Sequence, residues 1–556
     1  MKEKSNTTRI VVAIAVLALI IIAVAAIGNL GASKPMSAED AQKKLDSLYS
    51  RLYINRLPIK QDPDFLLGDE SETVLVLPDI SEYPFIVNPS TGDFLTIYAS
   101  PDKAEWLRSV ADKFNQSGPT VDGRPVSVGI RIIPSGVAAD LISSGKYTPD
   151  IYAPASSSYG DLILAKGTNL RLVEGKLAKN VSGLVISKKK SDELKAQYGT
   201  ESPELDNIID SVFADTLSLG YASPSSDENG FLFVLELFSG LGGDNPFGEE
   251  SIERLRLFQD KILFLAYESE QLKSALASGI LDAAVLDYQS YINSPALGAS
   301  YEFLPLCRRD GPLYQVGDIG DFKSQITTLF VEFCKSADSQ KAASDLGFNN
   351  LDSFAKANLI EGADVLRARE VYDREKNGSS AVTAVFVADI SGSMEGSPML
   401  NLKASLYRAI DVIDSNANIG LVTFANEVNI AVPIAKFDQI QKSCFSSAVK
   451  NMTAGGGTAM FDAIVAAQKM LLDEKAKNPG TKLLLFVLTD GEANLGYTFK
   501  DIEKMTKGLN IPIYTIGYNA NIEVLQKLSE INEAAAMNAD SDNIIYRLES
   551  LFRSQT

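Results

Sequence analysis

The chain has 556 residues. That is too long for one hydrophobic core, and at about 150 residues per domain it implies three or four units. A formal net charge of −19 excludes the basic face that nucleic-acid binding needs. The complete lack of histidine excludes serine–histidine triads, histidine acid–base chemistry and the commonest zinc ligand. Cys307, Cys334 and Cys444 are too widely spaced for a metal motif and read as buried small apolar residues, with a Cys307–Cys334 bridge as the alternative.

In chain order, Ile10 to Ile27 is unbroken apolar sequence preceded by Lys2, Lys4 and Arg9. The run reaches the roughly 18 residues that a spanning helix requires and exceeds the usual signal-peptide core. It predicts a transmembrane helix over 10–29, with residues 1–9 cytoplasmic and the bulk of the chain outside the cell membrane. Small residues at Ala23-Val24-Ala25-Ala26 leave a cleaved signal peptide as the alternative. Residues 30–92 read as a helix and a connector. Leu45, Leu48, Tyr49, Leu52 and Tyr53 fall at helical spacing behind a Ser37 cap, and Val74 to Leu77 reads as a short strand. The helix suits packing on the next domain or a short stalk, with a partner-binding helix as the other option.

Residues 93–370 alternate strand and helix, which means parallel α/β. Strands are predicted at Phe94 to Ser100 and Val126 to Ile133, with a helix from Ala104 to Asn115 between them. The order of these elements, the Pro149-Asp150-Ile151-Tyr152 segment, the crossover at Val181 to Ser187 and the strand Ala283 to Asp287 resemble a two-lobed bacterial extracellular solute-binding protein. The return at Phe303-Leu304-Pro305 and Asp310-Gly311-Pro312, and a closing helix from Phe330 to Phe348, fit the same pattern. The resemblance implies a second lobe at about 181–304 and a small-molecule ligand in the interlobe cleft. Ser100, Ser135, Ser156 and Asp287 are the cleft candidates, since strand ends and helix starts offer hydroxyls and free N–H groups, and such a rim suits an oxyanion. The plainer reading of these serines is caps and turns. Trp106 reads as core, Lys188-Lys189-Lys190 as a solvated turn, and Arg308-Arg309 as solvated on a surface return strand, with countering an anion as the alternative.

Residues 371–380 end in Asn377-Gly378-Ser379-Ser380 and read as a linker. Beyond it, five apolar residues from Ala384 to Ala388 lead into Asp389-Ile390-Ser391-Gly392-Ser393. The pattern predicts a buried central strand that delivers a carboxylate and two hydroxyls to one loop at its carboxyl end. Thr458 follows a run of glycines, and Leu483 to Leu488 is a second buried strand ending in Thr489-Asp490-Gly491. The glycine loop lacks the lysine of a phosphate-binding loop. Hard oxygen donors without sulfur or imidazole suit a hard divalent ion. The three segments together resemble a von Willebrand factor A (VWA) domain with a metal-ion-dependent adhesion site, over 381–556. Further strands are read at Ile419 to Phe424 and Ile513 to Tyr518, with helices at Leu402 to Ser415, Thr458 to Leu472, Phe499 to Leu509, Ile522 to Leu528 and Ile544 to Phe552.

The resemblance implies that Ser391, Ser393 and Thr458 coordinate Mg2+, with Mn2+ or Ca2+ as alternatives, and that Asp389 and Asp490 act through waters. It leaves one coordination position for a carboxylate from a protein partner. The expected architecture is α/β throughout: an N-terminal transmembrane helix, a two-lobed solute-binding-like module, and a doubly wound, Rossmann-like VWA domain. The expected role is recognition rather than catalysis, since no nucleophile motif or catalytic acid pair is visible. The alternative is capture of a small solute for a transport system, with the VWA domain as docking module.

Overall fold

The computed structural model describes residues 36–67, 77–225, 227–242, 245–262, 264–266, 269–356, 360–376, 381–491, 493–518, 525, 527–528 and 536–538. The expected spanning helix at 10–29 and most of the short strand at Val74 to Leu77 lie outside them, as do the helix at 544–552 and most of that at 522–528. Among the described residues no helix is long and apolar enough to cross a membrane.

The C-terminal part is built on one seven-stranded sheet. The strand Val382–Asp389 lies at its centre, parallel to Asn418–Phe424 on one side and Lys482–Thr489 on the other. All eight of its residues are buried. Successive side chains point to opposite faces, so Ala384, Phe386 and Ala388 enter one apolar layer while Val385 and Val387 enter the other. Helices Ser397–Val412 and Gln439–Lys450 cover the first face. Met460–Lys477 and Phe499–Leu509 cover the second. The sheet is therefore covered on both faces, as a continuous apolar strand requires.

The helix Ala38–Tyr49 packs on that second face, beside Met460–Lys477 and Phe499–Leu509. Ser37 caps it, accepting from the Asp40 N–H at 3.2 Å, and Glu39 and Asp40 complement its positive end. Ala41, Leu45 and Leu48 are buried in the apolar layer formed with Ile464, Ile502 and Met505. Gly508 permits the approach, since a Cβ there would stand 2.8 Å from that of Ala41. The Tyr497 hydroxyl donates to the Leu48 carbonyl at 3.0 Å, a bond between residues 449 apart in sequence. Of the predicted stripe, Tyr53 departs from the core: it is exposed beyond the helix end.

The chain then runs along the sheet edge as a strap. Ile54–Arg56 pairs in parallel with Val428, Asn429 and Ile430 and becomes an outer strand. Asp62 ties the strap down: its N–H donates to the Ser443 hydroxyl at 2.8 Å, and its carboxylate accepts from the Ser446 hydroxyl at 3.0 Å. Residues 36–67 thus complete the C-terminal fold, and the two-lobed module emerges between the strap and the central strand.

That module has two sheets. The first lobe's main sheet runs Phe85–Val87, Arg124–Ile132, Asp93–Ala99, Ile151–Ala153, Leu313–Val316, Leu170–Glu174. The second runs Phe264–Ala266, Leu219–Ala222, Ala283–Asp287, Asn180–Ser187, Tyr301–Arg309. Two chain crossings join the lobes, and they are bonded to each other where the Leu177 N–H meets the Gly311 carbonyl at 3.2 Å. Gly311 has φ +59°, and a Cβ there would lie 2.5 Å from the Ala178 carbonyl oxygen.

Several elements differ from expectation, among them the linker at 371–380, whose first five residues belong to the helix Ala363–Glu375. The closing helix expected from Phe330 to Phe348 is two helices, Gly320–Cys334 and Ala337–Asp345, broken where Ser336 caps the second one. Lys188 to Lys190 form the first turn of the helix Lys188–Tyr198 rather than a turn of their own. The Cys307–Cys334 bridge is not formed: all three cysteines are buried thiols outside any disulfide. Trp106 is core as expected, with its indole N–H donating to the Ser339 carbonyl at 2.8 Å.

Candidate functional site

At the carboxyl end of the central strand the backbone is held on both sides. The Ile390 N–H donates to the Phe424 carbonyl, and the Ile390 carbonyl accepts from the Gly455 N–H, both at 2.9 Å. The Gly392 N–H donates to the Gly456 carbonyl at 2.9 Å, which clamps the serine loop to the glycine loop. Gly456 has φ +88°, and a Cβ there would stand 3.0 Å from the Asn426 amide, so both backbone and space require glycine.

Four of the five predicted metal-site residues form one hydrogen-bonded chain. Asp389 is fully buried and accepts from the Ser391 N–H at 2.7 Å and from the Thr489 hydroxyl. The Ser391 and Ser393 hydroxyls are 3.1 Å apart, and that of Ser393 donates to the Asp490 carboxylate at 2.8 Å. The chain rises from buried Asp389 to exposed Ser393, so its outer end faces solvent. Thr458 is buried beside it, on the loop that Gly456 clamps to Gly392. Its N–H donates to the Asn494 side-chain oxygen at 2.9 Å, while its carbonyl accepts from the Asn494 N–H at 3.1 Å.

Burial pushes the Asp389 carboxyl above the usual carboxylate range against the hydrogen bonds from Thr489 and Ser391, and the nearby Asp490 charge adds to the rise. Burial likewise raises Asp490, opposed by the bond from Ser393. Two acids close together and short of positive charge, joined by hydroxyls, form an all-oxygen donor set that fits a hard divalent cation. No group of three or more His, Cys, Asp or Glu residues that would hold a metal exists among the described residues, so any ion here must rely on the hydroxyls.

Sequence reasoning missed the supports. Asn426 accepts from the Gly457 N–H at 2.6 Å, Asn494 holds Thr458, and Thr489 holds Asp389. The available signal was position: each lies at, or within a few residues of, a predicted strand end, where asparagine and threonine side chains bond to neighbouring backbone.

The cleft candidates lie along the meeting of the two lobes. Ser100 is buried, and its hydroxyl donates to Asp102 at 2.5 Å. Ser135 is buried, with its oxygen 3.5 Å from the Ala155 N–H. Ser156 crosses the cleft, its hydroxyl donating to Glu228 at 2.6 Å. Asp287 caps a short helix and accepts from the side chains of Asn180 at 2.9 Å and Asn229 at 3.1 Å.

The group missed here is Arg309, expected to be solvated and in fact only 2% exposed. Its guanidinium lies 2.7 Å from Asp102 and 3.6 Å from Asp287. Burial pushes Asp287 up, but the Arg309 charge and four hydrogen bonds outweigh it and hold the carboxyl below its usual range. Glu228 goes the other way: burial pushes it up to about 7 against the pull of Arg309. Burial lowers Lys103 to about 8, with Asp102 opposing. The acids Asp102, Asp227, Glu228 and Asp287 outnumber Lys103 and Arg309, which disfavours the oxyanion suggested by the serines alone.

Residues 384–553 match the family described as von Willebrand factor type A domain, and residues 95–349 match bacterial extracellular solute-binding protein. Among curated relatives, an uncharacterised protein of Borreliella burgdorferi is 32% identical over 154 residues, covering 26% of this chain and 43% of its own. Inter-alpha-trypsin inhibitor heavy chain H3 of Bos taurus is 27% identical over 176 residues, covering 29% and 19%. The matches thus span less than half the length of these relatives. Among solved structures, iron-bound HitA from Pseudomonas aeruginosa aligns at 17% identity and TM-score 0.38, covering 52% of this chain and 99% of that one. The VWA protein from Catenulispora acidiphila aligns at 20% and TM-score 0.29, covering 31% and 42%.

Proposed function

From a chain that joins a bacterial extracellular solute-binding domain, residues 95–349, to a C-terminal VWA domain, residues 384–553, we propose an extracytoplasmic, membrane-anchored recognition protein whose VWA domain engages an acidic protein partner through a divalent cation. Ser391, Ser393 and Thr458 would hold Mg2+, with Mn2+ or Ca2+ as alternatives, while Asp389 and Asp490 orient its waters and balance its charge. The ion would supply a coordination position for a carboxylate of the partner. The chain's own part is to keep the oxygens in place: the Ser391 N–H and Thr489 hydroxyl fix Asp389, Asn494 fixes the Thr458 backbone, and the Gly392–Gly456 bond holds the two loops together. The role is binding rather than catalysis, and the helix expected at 10–29 would be the anchor.

The observation that carries this reading is the hydrogen-bonded run Asp389–Ser391–Ser393–Asp490, which links the ends of two parallel strands at a solvent-facing mouth. The test is calorimetric titration of Mg2+ into the full chain and into Asp389→Ala. Loss of Mg2+ binding with unchanged circular dichroism is expected, and equal affinity in both proteins would refute the assignment. Capture of a partner from solution should likewise disappear with a chelator.

A second reading, capture of a small solute for a transport system, is favoured by the two-lobed fold and its polar interlobe cluster, in which Glu228 Oε2 is sealed from solvent without a hydrogen-bond partner. A thermal shift on adding one member of a metabolite panel would support it, and a flat response across the panel would count against it.

A further inference from the structure

A protein that traps a solute by closing two lobes must be able to part them. Here the lobes are joined by the chain's own groups in three ways. Inside the cleft, Arg309 donates to Asp102 of the first lobe at 2.7 Å and to Asn229 of the second at 3.0 Å, with Asp287 of the second lobe at 3.6 Å. Ser156 of the first lobe donates to Glu228 of the second, and Gln289 of the second donates to the Asp102 carbonyl at 3.3 Å. The cation that draws the opposed carboxylates together is therefore supplied by the polypeptide, from a strand end at the hinge.

Beside this ionic contact the lobes share one apolar core. Val137, Ala138, Leu141 and Tyr159 of the first lobe belong to the same buried cluster as Phe231, Leu235 and Leu184 of the second. The rings of Tyr159 and Phe231 are 4.7 Å apart. The backbones also meet closely, since a Cβ on Gly136 would stand 2.9 Å from the Ser225 carbonyl oxygen. Such a buried, close-packed contact resists hinge opening.

Across the outside lies the helix Ala363–Glu375, which leads into the central VWA strand. At its start the Gly362 N–H donates to Asp161 of the first lobe at 3.1 Å. Further along, Arg369 donates to the Ser225 hydroxyl at 2.9 Å, the Tyr372 hydroxyl meets that of Tyr221 at 3.1 Å, and Glu375 pairs with Arg256 at 2.6 Å, all in the second lobe. Val365, Ala368 and Tyr372 are buried in the shared core. A helix bonded to both lobes acts as a clasp.

We propose that the two-lobed module is latched shut by Arg309 and clasped by Ala363–Glu375, and that it serves as a rigid mount for the VWA domain rather than as a trap that opens and closes on a solute. The closed form rests on groups the chain carries, so no captured molecule is needed to hold it. This inference stands apart from the metal site: it is read without Mg2+ and survives if that site is wrong.

The test is hydrogen exchange on the full chain in the presence of a chelator, with Arg309→Gln compared with wild type. Loss of the guanidinium takes away the cation that lies against both Asp102 and Asp287 and leaves only Lys103, on the Asp102 side, so the lobes should part. The expected result is a threefold or greater rise in exchange rate at the start of helix Glu228–Gly242 and around Asp102. Wild-type rates should not change on adding sulfate, inorganic phosphate, glucose or free arginine. A rise below threefold in the variant would overturn the latch, and so would slowed wild-type exchange with any of the four solutes. Should Arg309→Gln fail to fold, Asp102→Asn, which leaves Arg309 its Asp287 partner, decides by the same threefold criterion.

Discussion

Leu45→Ala tests whether the helix Ala38–Tyr49 belongs to the VWA fold or merely lies on it. Leu45 has no exposed surface and packs in the layer with Ile464, Ile502 and Met505. Truncating a buried leucine costs about 2–5 kcal/mol, the larger values applying where the surroundings cannot collapse into the space. Here the helix is held at the Gly508–Ala41 approach and by the Tyr497–Leu48 bond, which leaves little room for collapse. A cost of about 3–5 kcal/mol is therefore expected. At about 2–4 °C per kcal/mol for a domain of this size, the VWA transition should fall by about 6–20 °C. Differential scanning calorimetry of the full chain reads this directly, and the transition of the two-lobed module should stay in place. Tyr53→Ala, at a position 73% exposed, is the control and should stay within about 0.5 kcal/mol of wild type. A fall below about 2 °C for Leu45→Ala would show that the helix is peripheral and that the domain begins at the central strand.

Other outcomes follow from the same geometry. Gly311→Ala places a methyl 2.5 Å from the Ala178 carbonyl oxygen at a left-handed position, so it should lower the melting of the two-lobed module and leave the VWA transition unmoved. Glu228 is held near 7 in the fold against 4.5 when free, so the folded state binds its proton more tightly. Its contribution favours the fold below the free value and is lost as pH rises through 4.5 toward 7. Glu228→Gln should remove up to about 3 kcal/mol of that decline, read as the difference between the two proteins' urea midpoints at pH 4.5 and 7.5. Gly456→Ala should weaken Mg2+ binding at least tenfold in calorimetry, because the clamp between the serine and glycine loops must open to relieve the contact with Asn426.

What could be read from residues alone followed from how local the signal is. The run Ala384 to Ala388 could only be a strand buried on both faces, and the polar loop beyond it had to lie at a sheet end; both hold in the fold. The stripe Leu45, Leu48 and Tyr49 announced a helix with one apolar face, but periodicity names a face and not its partner, which here lies hundreds of residues onward. Arg308-Arg309 misled because a pair of arginines suggests solvent. Strand alternation sends neighbours to opposite sides: Arg308 turns outward to Asp310 while Arg309 turns into the cleft. The break at Ser336 was legible in principle, since a serine ahead of Ala337-Asp338 marks a helix start within a stretch read as one helix.

The strap has a consequence for how the molecule comes apart. Because the polypeptide departs from the VWA sheet after residue 67 and rejoins it at Val382, severing the backbone once between the two halves would not free them. Ile54–Arg56 would stay seated on the sheet edge, and Asp62 would stay bound to Ser443 and Ser446. Proteolytic shedding of either half therefore demands two incisions, one on each side of the intervening module, and a singly nicked molecule should still migrate as a single particle under native conditions.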